Sequence, residues 1–288
     1  MDIKKIPVNV IGRGSQPVGE DGQTHSYIDM PSDMATFEEP CIPEPDLVEG
    51  LAGAREAMLW LRRALAEHNA ESEPLLANLS ALDEENRELV NQILGEGEVG
   101  ISYNGTVCAR SQESVLAGVW RTLYLDRDDK VCNDILEVGD VAHTARMPDG
   151  RDRPINTDTQ DVPVELHNAL AILVELEAQC AEFAATQTPN SINLTLLPLS
   201  GDDLEFLDSR LGKGPVDTLS RAYGKCQVSS TLTPNVWWVR YYNSMDTLIL
   251  NTIEVVSVPE AICAAPEDLS DSAIRLDGIL APYWSDVA

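Results

Sequence analysis

Basic side chains are scarce in this 288-residue chain. Twenty Lys and Arg stand against 48 Asp and Glu, a formal net charge of −28. A field of that sign repels DNA, RNA and anionic lipid, which excludes nucleic-acid binding. It favours basic peptides, basic protein surfaces or cations as partners, although acidity on this scale also serves solubility alone. No apolar run approaches the ~18 residues of a membrane helix, so no membrane insertion is expected. The opening MDIKKIPVNVIGRG has neither the apolar core nor the small-residue cleavage site of a secretory signal.

Histidine is rarer still, with four residues at 25, 68, 143 and 167, none at ligand spacing from another His or Cys. Six cysteines stand at 41, 108, 132, 180, 226 and 263, too far apart for CxxC or zinc-finger spacing. Thiols this dilute read as mostly buried and reduced, which places the protein in the cytoplasm with no metal or cofactor. GxSxG, HExxH and GxxxxGK[ST] are missing. Carboxylate pairs are everywhere in so acidic a chain and carry little information. Glu137 and Glu254 stand out because related segments both keep one, yet a solvent-facing or ion-paired strand residue explains each better than a general base. No catalytic constellation emerges, and no enzyme is expected.

What the chain does have is a repeat. Shifting it by 117 residues aligns Leu79–Val138 with Leu196–Val255 without a gap, and 13 of the 60 pairs are identical, against roughly four expected from ordinary composition. Leu94-Gly95-Glu96-Gly97 faces Leu211-Gly212-Lys213-Gly214, Val119-Trp120 faces Val236-Trp237, and Glu137-Val138 faces Glu254-Val255. An internal duplication follows, and the expected fold is α+β: two lobes of order α-β-α-β-β-β at 49–150 and 151–263. They are flanked by an extended acidic, Pro-rich arm at 1–48 and a C-terminal helix at 264–288 packed on the lobes.

Each lobe opens with an amphipathic helix. Ala54, Ala57, Met58, Leu61, Ala64 and Leu65 make one stripe; Ala169, Ile172, Leu173, Leu176, Cys180 and Phe183 make the other. A short strand follows, near Leu75–Leu79 and Ile192–Leu197. Asp83 and Ser200 are N-caps of the second helix, with acids in its first turn, and Gly95 and Gly212 end it. GEG and GKG therefore close helices rather than open them, unlike phosphate loops. Three strands complete the lobe, near Val99–Tyr103, Val115–Leu125 and Val131–Val138. Alternation sends Trp237, Val239 and Tyr241 to the core face and Trp238 to the other, which the Arg121 in register with it marks as the wetter side.

Several stretches resemble the HupH/HyaF-type hydrogenase expression/formation proteins. They are Ile93-Leu94-Gly95-Glu96-Gly97-Glu98-Val99, Gly118-Val119-Trp120-Arg121, Ser191-Ile192-Asn193-Leu194-Thr195-Leu196-Leu197-Pro198 and Ala264-Ala265-Pro266-Glu267-Asp268-Leu269. With Gly12-Arg13-Gly14-Ser15-Gln16-Pro17 they run in order along the whole chain. The resemblance implies an accessory protein, a chaperone or scaffold in the maturation of an uptake [NiFe] hydrogenase. It would act on the iron–sulfur small-subunit precursor before export, with a thioredoxin-like accessory protein in the same pathway. The basic twin-arginine signal of that subunit would suit an acidic partner. Glu96 and Glu98, in the family-like loop and absent from the second copy, and Trp238, turned from the core face, are the candidate partner-binding residues. The alternative is an iron–sulfur or metal carrier using Cys108 and Cys226, which fall within one position of equivalence.

Overall fold

The computed structural model describes Val48 and residues 50–68, 73–147, 151–160, 162–163, 166–221 and 224–284; apart from Val48, the arm expected at 1–48 lies outside them. The first half comprises α1 (Ala52–Glu67), β1 (Leu75–Asn78), α2 (Glu84–Leu94), β2 (Val99–Asn104), β3 (Cys108–Glu113), β4 (Val119–Leu125) and β5 (Val131–Val138). The second comprises α3 (His167–Thr186), β6 (Asn190–Asn193), α4 (Gly201–Leu211), β7 (Lys213–Ser220), β8 (Lys225–Thr231), β9 (Val236–Tyr242) and β10 (Leu248–Val255), and α5 (Pro266–Leu280) follows. The fold is α+β, as expected.

Each half has four strands after its second helix, not the expected three. The extra strand of the first half, β3, was hidden by its composition. Cys108, Arg110 and Gln112 face one side and Ala109, Ser111 and Glu113 the other, so no apolar period announces it. The Val115–Gly118 stretch expected to begin a strand is instead a turn, with Gly118 at φ +76°. Likewise, Leu194–Leu196 is a 3₁₀ turn rather than the end of β6.

All ten strands form one antiparallel sheet in the order β1-β5-β4-β3-β2-β7-β8-β9-β10-β6. The halves meet at β2 and β7, where Ile101 opposes Thr218, the residue 117 positions on. A local twofold through that pair relates the strand order of one half to the other. Hydrogen bonds repeat at the same offset. The Trp120 indole donates to the Gly139 carbonyl and the Trp237 indole to that of Val256, both at 3.1 Å, and both rings are fully buried. Gly95 N–H bonds Asn91 and Gly212 N–H bonds Asp208, closing α2 and α4. Asp83 and Ser200 cap the same helices through their side chains.

The helices cover the two wings of one sheet face. The stripe read from α1 is the set it buries, packed with Leu89, Ile93, Val119 and Leu136. Around α3, Leu173 and Leu176 join Leu207, Val236 and Ile253 in a second core. A third core lies on the opposite face and draws on both halves, with Ile101, Trp120, Val216 and Trp237 in contact beneath the 3₁₀ turns His143–Ala145 and Glu260–Ile262. Each half also receives the other's tail. Leu276 and Leu280 of α5 complete the first-half core, where Arg62 pairs with Asp277 at 2.6 Å. Ile155 enters the second-half core, next to Arg153 N–H bonded to the Leu232 carbonyl.

Candidate functional site

The loop between α2 and β2 is pressed onto the turn between β3 and β4. Gly97 N–H bonds the Glu113 carbonyl at 2.7 Å, and a Cβ on Gly97 would stand 2.2 Å from the Ser114 carbonyl oxygen. Only glycine fits there. Gly95 through Gly100 spell GxGxxG, but they follow a helix and open a strand, the reverse of the dinucleotide-binding order. With its backbone held against β3–β4, the loop leaves Glu96 and Glu98 exposed.

Glu98 stands at the rim of a cavity of about 520 Å³ that both halves build, with Glu260 and Asp268, also exposed, on the same rim. Glu113 lies deeper, 8% exposed, its Oε1 accepting the Gly118 N–H at 3.2 Å. Val99, Ala117 and Ile262 supply apolar wall, and Cys226, Cys263 and the Tyr241 phenol the rest of its chemistry. Among the described residues no Lys or Arg lines it.

Burial pushes the Glu113 carboxyl up to about 7, against the Gly118 hydrogen bond and with the help of like charge on Glu98 and Asp268. Burial also raises Cys226 to about 11 and Cys263 to about 12, with Tyr241, hydrogen-bonded to Cys226, at about 12. At neutral pH these thiols keep their protons, which makes them poor nucleophiles and poor metal ligands. Among the described residues no three His, Cys, Asp or Glu side chains gather as a metal site, and no helix is long and apolar enough to cross a membrane.

Trp238 is not on a wet surface. It is 4% exposed, beneath the α3–α4 layer, with its indole N–H on Asn251 Oδ1 at 2.5 Å and the Arg240 guanidinium 4.4 Å from its ring centre. The inference from Arg121 failed because that residue is not free in solvent either. It makes a bidentate pair with Asp134, at 2.9 and 2.6 Å, beneath the first-half helices. Asp134 and Asn251 are 117 residues apart, so an ion pair in one half stands where an indole–amide bond stands in the other.

The carboxylates at the repeat also depart from expectation. Glu137 is 1% exposed and makes no ion pair among the described residues; it accepts hydrogen bonds from the Thr122 hydroxyl and, at 2.8 Å, the His143 N–H. Burial raises it and the less buried Glu254. Cys108 and Cys226 do not converge: Cys108 is exposed, while Cys226 lies in the core of the opposite face, in register with Ala109. A one-residue offset on a strand reverses the face. Glu113, Glu260 and Asp268 escaped the sequence reading because they come from an unrecognised strand, a 3₁₀ turn and the first turn of α5.

The profile of the family "HupH hydrogenase expression protein, C-terminal conserved region" matches residues 51–150 and 166–283. The chain is 41% identical to the hydrogenase expression/formation protein HoxQ of Cupriavidus necator, over 96% of each chain. It is 30% identical to the hydrogenase-1 operon protein HyaF of Escherichia coli, over 94% of each. A solved structure, the hydrogenase expression protein HupH from Thiobacillus denitrificans, aligns with 31% identity and a TM-score of 0.39 over 40% of this chain and 95% of that one. With the family match and these two relatives covering nearly the whole chain, it belongs to the HupH/HyaF family of hydrogenase expression/formation proteins.

Proposed function

We propose that this protein is a non-enzymatic chaperone or scaffold in hydrogenase maturation, which holds the iron–sulfur small-subunit precursor in the cytoplasm before export. The reading is supported by relatives that are themselves named hydrogenase expression/formation proteins. The observation that carries it further is the cleft: four carboxylates with no lining Lys or Arg among the described residues, in a chain of net charge −28. Such a surface suits a basic segment, and Glu96, beside Glu98, extends it along the loop. Buried, protonated thiols fit a binding role better than thiolate chemistry. A thioredoxin-like accessory protein is a further partner under this reading. The repeated hydrogen bonds, the local twofold and the two profile matches support descent of the halves from one duplicated unit.

Capture of the small-subunit precursor on the immobilised protein tests the reading. Wild type is expected to retain it at low salt, and Glu96→Lys/Glu98→Lys to retain much less, the difference shrinking as ionic strength rises through ~0.15 M. Failure of wild type to capture the precursor would sink the reading. Full capture by the double variant at low salt would remove the loop from the contact.

A further inference from the structure

We propose that the cleft receives the guanidinium group of an arginine side chain, presented by a basic segment of a partner protein. This deepens the reading above and rests on it only for the identity of the partner.

The four carboxylates of the cleft make no ion pair among the described residues. Three are placed where an incoming group meets them first, and the fourth, Glu113, waits at depth. Glu113 is 8% exposed, and among the described residues its carboxylate accepts one hydrogen bond, at Oε1, which leaves the other oxygen open to the cavity. A buried carboxyl is ordinarily satisfied by its surroundings. This one faces a cavity shared with Glu98 and Asp268, whose charges are of its own sign. A cation entering between them would satisfy the free oxygen and relieve the repulsion.

The other half shows which cation. At the 117-residue offset Glu113 becomes Ser230, whose hydroxyl is closed on the Val216 backbone at 2.9 and 3.3 Å, and Glu98 becomes Pro215. Asp268 becomes Arg151, and the Arg151 guanidinium lies 5.0 Å from the ring centre of Trp237, the counterpart of Trp120. The second half thus receives a guanidinium against its core tryptophan from the first half's tail and has no carboxylate at those three positions. The cleft offers carboxylates and, among the described residues, no lining cation.

Arginine fits better than lysine. Its planar fork engages carboxylates in pairs, and its stem and face suit the Val99 and Ile262 wall and the Tyr241 ring. The cavity falls within the ~300–1,000 Å³ of ordinary ligand pockets, with room for more than one peptide residue.

The test is an NMR titration of the full chain with acetyl-Arg-Arg-amide and with the same dipeptide in which citrulline, neutral and nearly isosteric, replaces both arginines. The arginine peptide is expected to shift the amides of Gly118 and Ile262 and to bind at least tenfold more tightly than the citrulline peptide. Glu113→Gln and Asp268→Asn should each weaken it several-fold, while Glu84→Gln/Glu88→Gln on α2 leaves it unchanged. Glu113→Gln keeps an oxygen for the Gly118 N–H, so its fold is not at risk. Equal binding of both peptides, wild-type affinity in Glu113→Gln, or shifts confined to α2 would each overturn the proposal. Capture of the precursor separates the two readings. If the peptide shifts Gly118 but no precursor is captured, the cleft stands and the choice of partner falls. If the precursor is captured but Gly118 does not move with the peptide, the cleft proposal falls alone.

Discussion

Glu113 sets a cost on the native state that depends on pH. Its carboxyl is pushed from 4.5 up to about 7 on folding, so between those values the native chain keeps a proton that the unfolded chain releases. Stability from this group therefore falls as pH rises from about 4.5 to about 7 and is level beyond, a loss of roughly 3 kcal/mol at most. Glu113→Gln removes the titration. The variant should match wild type near pH 4.5 and exceed it by up to about that amount at pH 8, as read by urea denaturation at both pH values. Equal stability at pH 8 would mean that the cleft already solvates the ionised carboxylate. Trp238 is the contrasting case. Its alternation on β9 was legible in the sequence, since Trp237, Val239 and Tyr241 do share the other face. Its burial was not, because alternation gives a face and not what covers it. Trp238→Ala should cost about 3–5 kcal/mol by leaving a cavity and stripping the ring from Arg240. A loss under ~1 kcal/mol by denaturant titration would contradict the packing seen around it.

At the scale of elements, the glycines that close the second helices were readable from position alone, whereas the pair that follows them needed the structure. Gly97 and Gly214 each lie against the backbone of the neighbouring turn, so an added Cβ would stand 2.2 Å from the Ser114 oxygen and 2.5 Å from that of Thr231. Gly97→Ala and Gly214→Ala should both destabilise by about 1–3 kcal/mol, because the clash is with backbone and has no rotamer to escape through. Gly201 at the start of α4 has open space around its Cβ, so Gly201→Ala should change little or stabilise by up to ~1 kcal/mol. Thermal midpoints of the three variants decide this; similar behaviour of all three would remove the role given to the close approach. Helices were legible here because their caps and stripes are local: Asp83, Ser200 and the α1 stripe all fell where propensity places them. β3 was not, because a central strand with polar residues at four of its six positions takes its identity from β2 and β4 on either side. The cleft inherits that blindness, since its deepest residue ends β3.

At the scale of the whole molecule, the halves are bound by three devices: the β2–β7 pair, the core shared beneath both 3₁₀ turns, and the exchanged tails. A lobe taken alone would lose all three, exposing the β2 edge and the face that α5 covers. Yet Ile101 lies on the local twofold opposite its own counterpart, so a second first half can take the place of the missing one. In such a dimer β2 pairs with β2, two copies of Trp120 enter one core, and each chain's residues 151–160 reach the other, as they reach the second half in the intact chain. Residues 49–163 expressed alone should therefore run as a dimer by light scattering, with near-ultraviolet dichroism from the packed tryptophans. The dimer should dissociate and unfold in one step that depends on protein concentration. Ile101→Asp, which sets two charges against each other on the axis, should abolish the dimer and the fold together. A folded monomer of that fragment would show that a half is complete by itself and that the shared core adds only contact.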